Sequence, residues 1–490
     1  MSVIDLSVIV VYLIASVAIG LALSGRQRNA KDYLQGGGTL PWWAVCLSVV
    51  ATETSALTVI STPSVAYLGD LTFIQVTVGY LIGRTVVAFL LLPRYRDGEM
   101  VTAYQYLGRR FGRGMQSGAS VVFLVTRLLA DGVRLFAAAI PIKVMLAAYD
   151  VDVSYFVIIA ALGIVTIAYT FFGGLRAVVW VDVFQMALYV IGGVIALFLI
   201  LNALGDVGLA PAVEAGKIRF LDFTSNPISA PYAFLTAVVG GAVMAMGSHG
   251  IDQIIVQRLV ATRTLRDSQL ALIGSGIVVI FQFGLFLVVG LGLWVLWKGR
   301  SPEEMGMGAP DELFPTFIVN DMPAGLSGLL LAGIMASAMS TLSSSLSALT
   351  SSTMTDIIGR FRSTPLEDAQ ALWCSRVVTV IWGVVFVGAG ALFRGTDNPV
   401  MVLGLSIAAI TYGGLLGSFL LGLWVRKARQ ADAMISLVVT LAVMTTLFVA
   451  APTLIGFTWY TLIGAVIMLV VGGALSLRHS GEDPQIARGA

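Results

Sequence analysis

Apolar runs of membrane-crossing length follow one another along almost the whole of this chain, and they restrict it to one kind of fold. A helix needs about 20 apolar residues to cross the roughly 30 Å of bilayer hydrocarbon. Runs of that kind can be read at 4–24, 42–67, 71–93, 117–148, 153–172, 176–204, 232–256, 268–297, 326–357, 371–393, 399–425, 433–451 and 458–477. Lipid offers no partner to backbone N–H and C=O groups, so each segment must satisfy its own. The thirteen runs therefore predict an all-α polytopic membrane protein of about 13 transmembrane helices. Composition agrees, with 58% hydrophobic residues, 11% charged residues and a mean hydropathy of +0.92. The longest loops, 205–231 and 298–325, are too short to build a soluble core.

Basic residues set the expected orientation. With the N-terminus outside, the inner loops 25–41, 94–116, 173–177, 257–267, 358–376, 426–432 and 478–490 hold 20 of the 29 Lys and Arg, against five in the outer loops. Arg26, Arg28 and Lys31 mark the first inner loop. An odd number of spans then leaves the C-terminus cytoplasmic, as expected of an integral protein of the plasma (inner) membrane. No Lys or Arg precedes the first run, which reads as a retained helix rather than a removed signal. Cys46 and Cys374 build no disulfide framework, and His249 and His479 stand 230 residues apart. No nucleophile stands with a base in a recognisable pattern, so a membrane enzyme is disfavoured. A solute sensor on a transporter scaffold is disfavoured in turn, because no signalling domain follows Leu477.

Polar residues interrupt this apolar plan at a few places. Ala336 to Thr355 packs twelve hydroxyl side chains into one span. Ser337, Ser340, Thr341 and Ser344 share a helical face, with Ser343, Ser347 and Thr350 beside it. Such a column of neutral oxygens suits a monovalent hard cation such as Na⁺ better than Ca²⁺ or Mg²⁺. Membrane hydroxyls also bond back to their own helix or let helices approach closely, and the column alone does not choose between these. In the second run, Thr52, Glu53, Thr54 and Ser55 follow Ala51, with Thr58 and Pro63 beyond. A carboxylate at that depth with a proline to follow predicts an unwound segment whose carbonyls face a ligand. The run from 232 breaks again at Gly247-Ser248-His249-Gly250, ahead of Asp252. Arg127, Asp131 and Arg134 fall on one stripe of the fourth run, and Asp182 lies among apolar residues of the sixth.

Two interrupted runs, each opening a set of five, predict an inverted repeat. The chain then divides into an extra helix and inner loop (1–41), a first repeat (42–204), an outer segment (205–231), a second repeat (232–432), two peripheral helices (433–477) and a tail (478–490).

At this point the chain resembles the sodium:solute symporter family. YTFFGGLRAVVWVDVFQ fits the family's double-glycine signature, ATETSALTVISTP its first broken helix, GIDQIIVQR the end of its second, and AMSTLSSSLS its sodium-binding helix. The resemblance implies a LeuT-like bundle of five plus five helices, with one helix added before it and two after. It implies a main sodium site from the carbonyls of Ala51, Thr54 and Ser337 and the hydroxyls of Ser340 and Thr341. It also implies a second sodium site from Asp182, Ser340, Ser343 and Ser344, so one or two Na⁺ ions are expected and no other metal. The aromatic pair, acidic residue and lysine of sugar-carrying members are missing. The expected substrate pocket comprises Thr52, Glu53, Ser55, Thr58, Phe73, Gln75, Arg127 and Ser248, with Asp131, Arg134, His249 and Asp252 as further candidates. Arg127, with Arg134 as its rival, would meet a carboxylate, and Glu53 an amine. The expectation is a sodium-coupled importer of a small carboxylate or amino acid, with sugars, polyols or vitamins second. It is expected to work as a monomer in the bilayer without a nucleic-acid partner.

Overall fold

The structure is a computed structural model that describes residues 3–23, 39–97, 100–147, 151–361, 367–393, 400–452 and 454–479. Arg26, Arg28, Lys31 and the tail 480–490 lie outside the described residues. Among those described, the backbone is helical, and its one β feature is an isolated bridge between Leu40 and Thr262. The helices that carry the bundle are α1 (Val3–Leu23), α2 (Trp42–Glu53), α3 (Ala56–Leu68), α4 (Ile74–Leu90), α5 (Arg113–Ala147) and α6 (Tyr155–Leu204). They continue with α7 (Gly241–Gly250), α8 (Gln253–Val260), α9 (Leu265–Leu296), α10 (Leu326–Ser352), α11 (Asp368–Gly390), α12 (Val400–Trp424), α13 (Gln430–Ala450) and α14 (Tyr460–Ser476).

Seven helical stretches among the described residues are long and apolar enough to cross a membrane, and α2 with α3 makes an eighth, bent by 60°. Helical backbone runs without interruption over the 50 residues of α6. A straight helix of that length would measure about 75 Å, more than twice the hydrocarbon thickness. Ile159 packs beside Gly390 at the end of α11, and Ile200 beside Gly292 near the end of α9. The Val400 N–H at the head of α12 donates to Asp311 at 2.8 Å.

The first break falls at Glu53 to Ser55, where Ser55 adopts extended backbone (ψ 174°). Pro63 is not its site, since that residue lies inside α3, where its missing N–H costs one helical bond. The second break falls at Ile251 and Asp252. Asp252 is extended, and its Oδ1 accepts the Ile254 N–H at 2.9 Å, so the side chain that ends one helical piece caps the next. Gly83 lets α4 reach α7, because a Cβ there would stand 2.0 Å from the Ala242 carbonyl oxygen.

At the centre stands α10, almost wholly buried, with α6, α1, α5, α11 and α2 packed around it. Its first turn is capped from another helix. Asp5 Oδ1 of α1 accepts the Gly325 N–H (2.7 Å), the Gly328 N–H (3.0 Å) and the Ser327 hydroxyl (2.7 Å). A carboxylate at a helix N-terminus satisfies donors that the helix itself cannot.

Candidate functional site

The two breaks and the hydroxyl-rich face of α10 meet in the interior. The Thr54 carbonyl, freed by the first break, accepts from Ser337 Oγ at 2.9 Å, while Thr54 Oγ1 donates to Gln282 at 3.0 Å. Ala51 lies buried one turn before the break. Part of the column bonds back to its own helix: Thr341 donates to the Ser337 carbonyl (3.1 Å) and Ser343 to that of Ser340 (3.0 Å). Ser340 instead reaches across to Asp182. Asp182 also accepts from Ser48 at 2.6 Å and from Arg258 at 3.2 Å, and the Arg258 guanidinium donates to Ser344 as well. The Asp182 and Arg258 side chains are both fully buried. Of the oxygens expected to form a second ion site, those of Asp182 and Ser344 thus meet a cation the protein itself supplies, Ser340 bonds Asp182, and Ser343 bonds back to its own helix.

Beside the first break lies a cavity of about 80 Å³. Of the expected pocket residues, Thr52, Glu53, Ser55, Thr58, Arg127 and Ser248 line it, together with Arg134 and His249. Phe73 and Gln75 are placed elsewhere. The Gln75 amide donates to the carbonyls of Tyr232 (2.9 Å) and Thr72 (3.1 Å) and accepts the Asp222 N–H, fastening the segment 205–231 to α4. Phe73 stacks on Phe283 with ring centroids 5.2 Å apart, and Phe283 rather than Phe73 faces the cavity. Tyr80, Met244, Met401 and Tyr412 are among the wall residues that had not been expected there.

Charges around the cavity are already paired among themselves. Glu53 forms a salt bridge with Arg84, which also donates to Ser275 at 2.8 Å, and His249 Nε2 stands 3.5 Å from the same carboxylate. Arg127 bonds Asp252, the Tyr412 hydroxyl (2.9 Å) and Asp131 (3.3 Å). Tyr412 in turn donates to Asp252 at 2.6 Å. Asp131 is shared further, accepting from Arg134 at 3.1 Å and from Ser345. Buried charges need such partners. Arg127, expected to meet a substrate carboxylate, is thus held by Asp252, and Glu53, expected to meet an amine, is held by Arg84. Arg134 differs: among the described residues Asp131 is its one carboxylate, and a fifth of its side chain remains exposed.

Arg84 and Arg258 were the partners that sequence reading left unplaced. The available signal was their position, since a lone arginine inside or at the edge of an apolar run requires a buried anion, and Glu53 and Asp182, expected to meet an amine and a sodium ion, are the anions they reach. No cluster of three His, Cys, Asp or Glu that could hold a metal occurs among the described residues.

The chain is 27% identical over 471 residues to a sodium/sialic acid symporter NanT of Aliivibrio fischeri, covering 94% of this chain and 90% of the other. It is 31% identical to the human sodium/iodide cotransporter, covering 86% of this chain and 66% of that one. A solved Na⁺-coupled sialic acid symporter, substrate-bound and outward-open, superposes with a TM-score of 0.86 at 25% identity, covering 98% of this chain and 99% of that one. MhsT in complex with L-phenylalanine shares the fold at a TM-score of 0.51 and 16% identity, covering 92% of this chain and 100% of that one. The profile of the sodium:solute symporter family matches residues 33–440. The chain, an integral membrane protein, belongs to the sodium:solute symporter family.

Proposed function

We propose that this symporter imports a small carboxylate or amino acid with Na⁺ by alternating access. The observation that carries the reading is the contact between Ser337 and the freed Thr54 carbonyl, which joins the hydroxyl-rich face of α10 to the first break beside the cavity. An ion held there by Ala51, Thr54, Ser337, Ser340 and Thr341 ties α2 to α10 and so fixes one wall of the pocket. Solute binding then favours the same arrangement as the ion, and the coupling is reciprocal. With Arg258 against Asp182, this first site is the one open to Na⁺, and a second ion at Asp182 requires the guanidinium to withdraw.

The size of the pocket supports a small solute. A cavity of about 150 Å³ takes benzene, and this one is about half as large. A sialic acid would need it to open. Arg134 offers the guanidinium with spare capacity for a carboxylate, in place of Arg127.

The breaks at 53–55 and 251–252 support two inverted repeats, 42–204 and 232–432, with binding near the bilayer midplane. The full arrangement is thirteen crossings, N-terminus outside and C-terminus cytoplasmic, working as a monomer in the plasma (inner) membrane. A membrane potential then adds about 2.3 kcal/mol per charge per 100 mV to the driving force. The test is uptake of small carboxylates and amino acids into proteoliposomes. Uptake should vanish when K⁺ or choline replaces Na⁺. Uptake that survives the replacement and follows a pH gradient overturns the proposal.

A further inference from the structure

Four exposed cations gather at the end of the bundle where α12 and α14 finish and α5 and α13 begin. They are Arg113, Lys427, Arg429 and Arg478, and they come from separate stretches that the fold fastens together. Arg110, buried in the short helix Tyr104–Phe111 that leads into α5, donates to the carbonyls of Gly422 (3.1 Å), Val425 (2.9 Å) and Arg426 (3.1 Å). A cationic donor there satisfies carbonyls that the end of α12 leaves open. Gly114, next to Arg113, lies against Gln430 at the head of α13, where a Cβ would stand 2.6 Å from the amide nitrogen. Asp432 accepts from Arg478 at 2.8 Å and from the Arg429 N–H at 2.9 Å, which draws the end of α14 to the same place.

The group carries more positive than negative charge. Among the described residues the carboxylate that reaches it is Asp432, which is wholly buried, while about half of the Arg478 side chain stays exposed. Apolar surface begins immediately beside these charges. Trp424, the last residue of α12, is 60% exposed and Leu477, next to Arg478, is 80% exposed. Ile435 and Val438 carry the exposed apolar face on along α13. Guanidinium and ammonium groups above such a face suit a ligand that is anionic at its head and apolar below. An acidic peptide or nucleic acid would use the charges and leave Trp424 and Leu477 uncovered.

We infer that Arg113, Lys427, Arg429 and Arg478, with Trp424 and Leu477 beneath them, bind the headgroup of an anionic phospholipid. Arginine forks match phosphate oxygens in pairs, lysine adds a point charge, and tryptophan settles at the level of the headgroups. Basic residues grouped beside a span attract anionic lipid. One headgroup held here would tie the start of α5, which carries Arg127 and Arg134 of the cavity wall, to the end of α12, which carries Tyr412. The inference is independent of which solute or ion is carried.

The experiment is titration of the purified full-length chain, in a non-ionic detergent, with dioleoyl phosphatidylglycerol, and with dioleoyl phosphatidylcholine of the same acyl chains. Bound lipid is counted by native mass spectrometry. Wild type should bind the phosphatidylglycerol at least tenfold more tightly than the phosphatidylcholine. The double variant Arg113→Gln with Lys427→Gln should lose most of that preference, and Arg429→Gln should lose part of it. Lys298→Gln with Arg300→Gln, which removes as much charge from the segment between α9 and α10, should keep it. Equal binding of the two lipids by wild type overturns the inference, and so does an equal loss in the Lys298 and Arg300 variant, which would make net charge the cause. Glycerol 3-phosphate that displaces the lipid at equal concentration would assign the patch to a free phosphate and overturn the lipid. Should the Arg113 and Lys427 variant fail to fold, Arg429→Gln decides against the same control.

Discussion

Asp252→Asn isolates the charge that Asp252 carries. The side chain caps α8 through the Ile254 N–H, and it accepts from Arg127 and Tyr412. Asparagine caps a helix about as well as aspartate, but with its oxygen on the Ile254 N–H it turns an amide NH2 toward Tyr412 and Arg127, so the loss falls on that pair and chiefly on the Arg127 charge. That arginine has 6% of its side chain exposed and would be left with Asp131, already shared with Arg134 and Ser345. Stranding one member of a buried ion pair costs about 3–5 kcal/mol. Unfolding entropy of about 2.1 cal/mol/K per residue gives about 1 kcal/mol/K for a chain of this length, so melting of the purified protein should fall by about 3–5 °C. Arg127→Gln alone should cost a similar amount. The double variant should melt well above the sum of the two losses, because each single change strands a charge and the double change strands neither. Two losses that simply add would refute the pairing.

Three further outcomes follow from the geometry. Arg134→Ala should raise the half-saturating concentration of an anionic solute at least tenfold in uptake assays and leave that of Na⁺ nearly unchanged; an unaltered solute dependence removes Arg134 from the pocket. Asp5→Ala leaves three donors at the head of α10 without their acceptor and should cost about 3 kcal/mol, read as a fall of about 3 °C in melting, with Asp5→Asn losing less; equal melting of the alanine variant and wild type would show that the cap is dispensable. Burial pushes the Asp311 carboxyl, in the segment between α9 and α10, up to about 6, against the opposing pull of Ser61 and the Val400 N–H. Because the folded value exceeds the unfolded one of about 3.9, this group's contribution is fully present below about pH 4 and is lost as pH rises through about 6. Asp311→Asn should therefore melt like wild type at pH 4 and higher than wild type at pH 8, and a gap of the opposite sign at pH 8 contradicts the assignment.

Much of the plan is written in the order of residue types. A bilayer requires long apolar stretches, so exceptions such as Glu53 to Ser55 and Ser248 to Asp252 stand out, and both are places where the helix breaks. The hydroxyls of α10 are legible for the same reason, and their burial follows from their chemistry. Pairing is not legible. Glu53 meets Arg84 from 31 residues away, Asp182 meets Arg258 from 76, and Arg127 meets Asp252 from 125. Nothing local specifies which carboxylate each arginine reaches, because that depends on how the helices are rotated against one another. Gln75 misleads for a related reason: a polar side chain near the end of a span can serve a loop as readily as a ligand, and here it holds the segment 205–231. Proline gave the right neighbourhood for the first break and the wrong cause.

Asp5 joins α1 to α10 at one end, and α1 also lies along α6. Tilting either helix alone would bare these polar groups to lipid, so under the alternating access proposed above the first helix would travel as freight with the hydroxyl-bearing one. A fluorophore or fusion partner attached at the start of the chain would thus report on, and burden, the motion of the helix proposed to hold the ion.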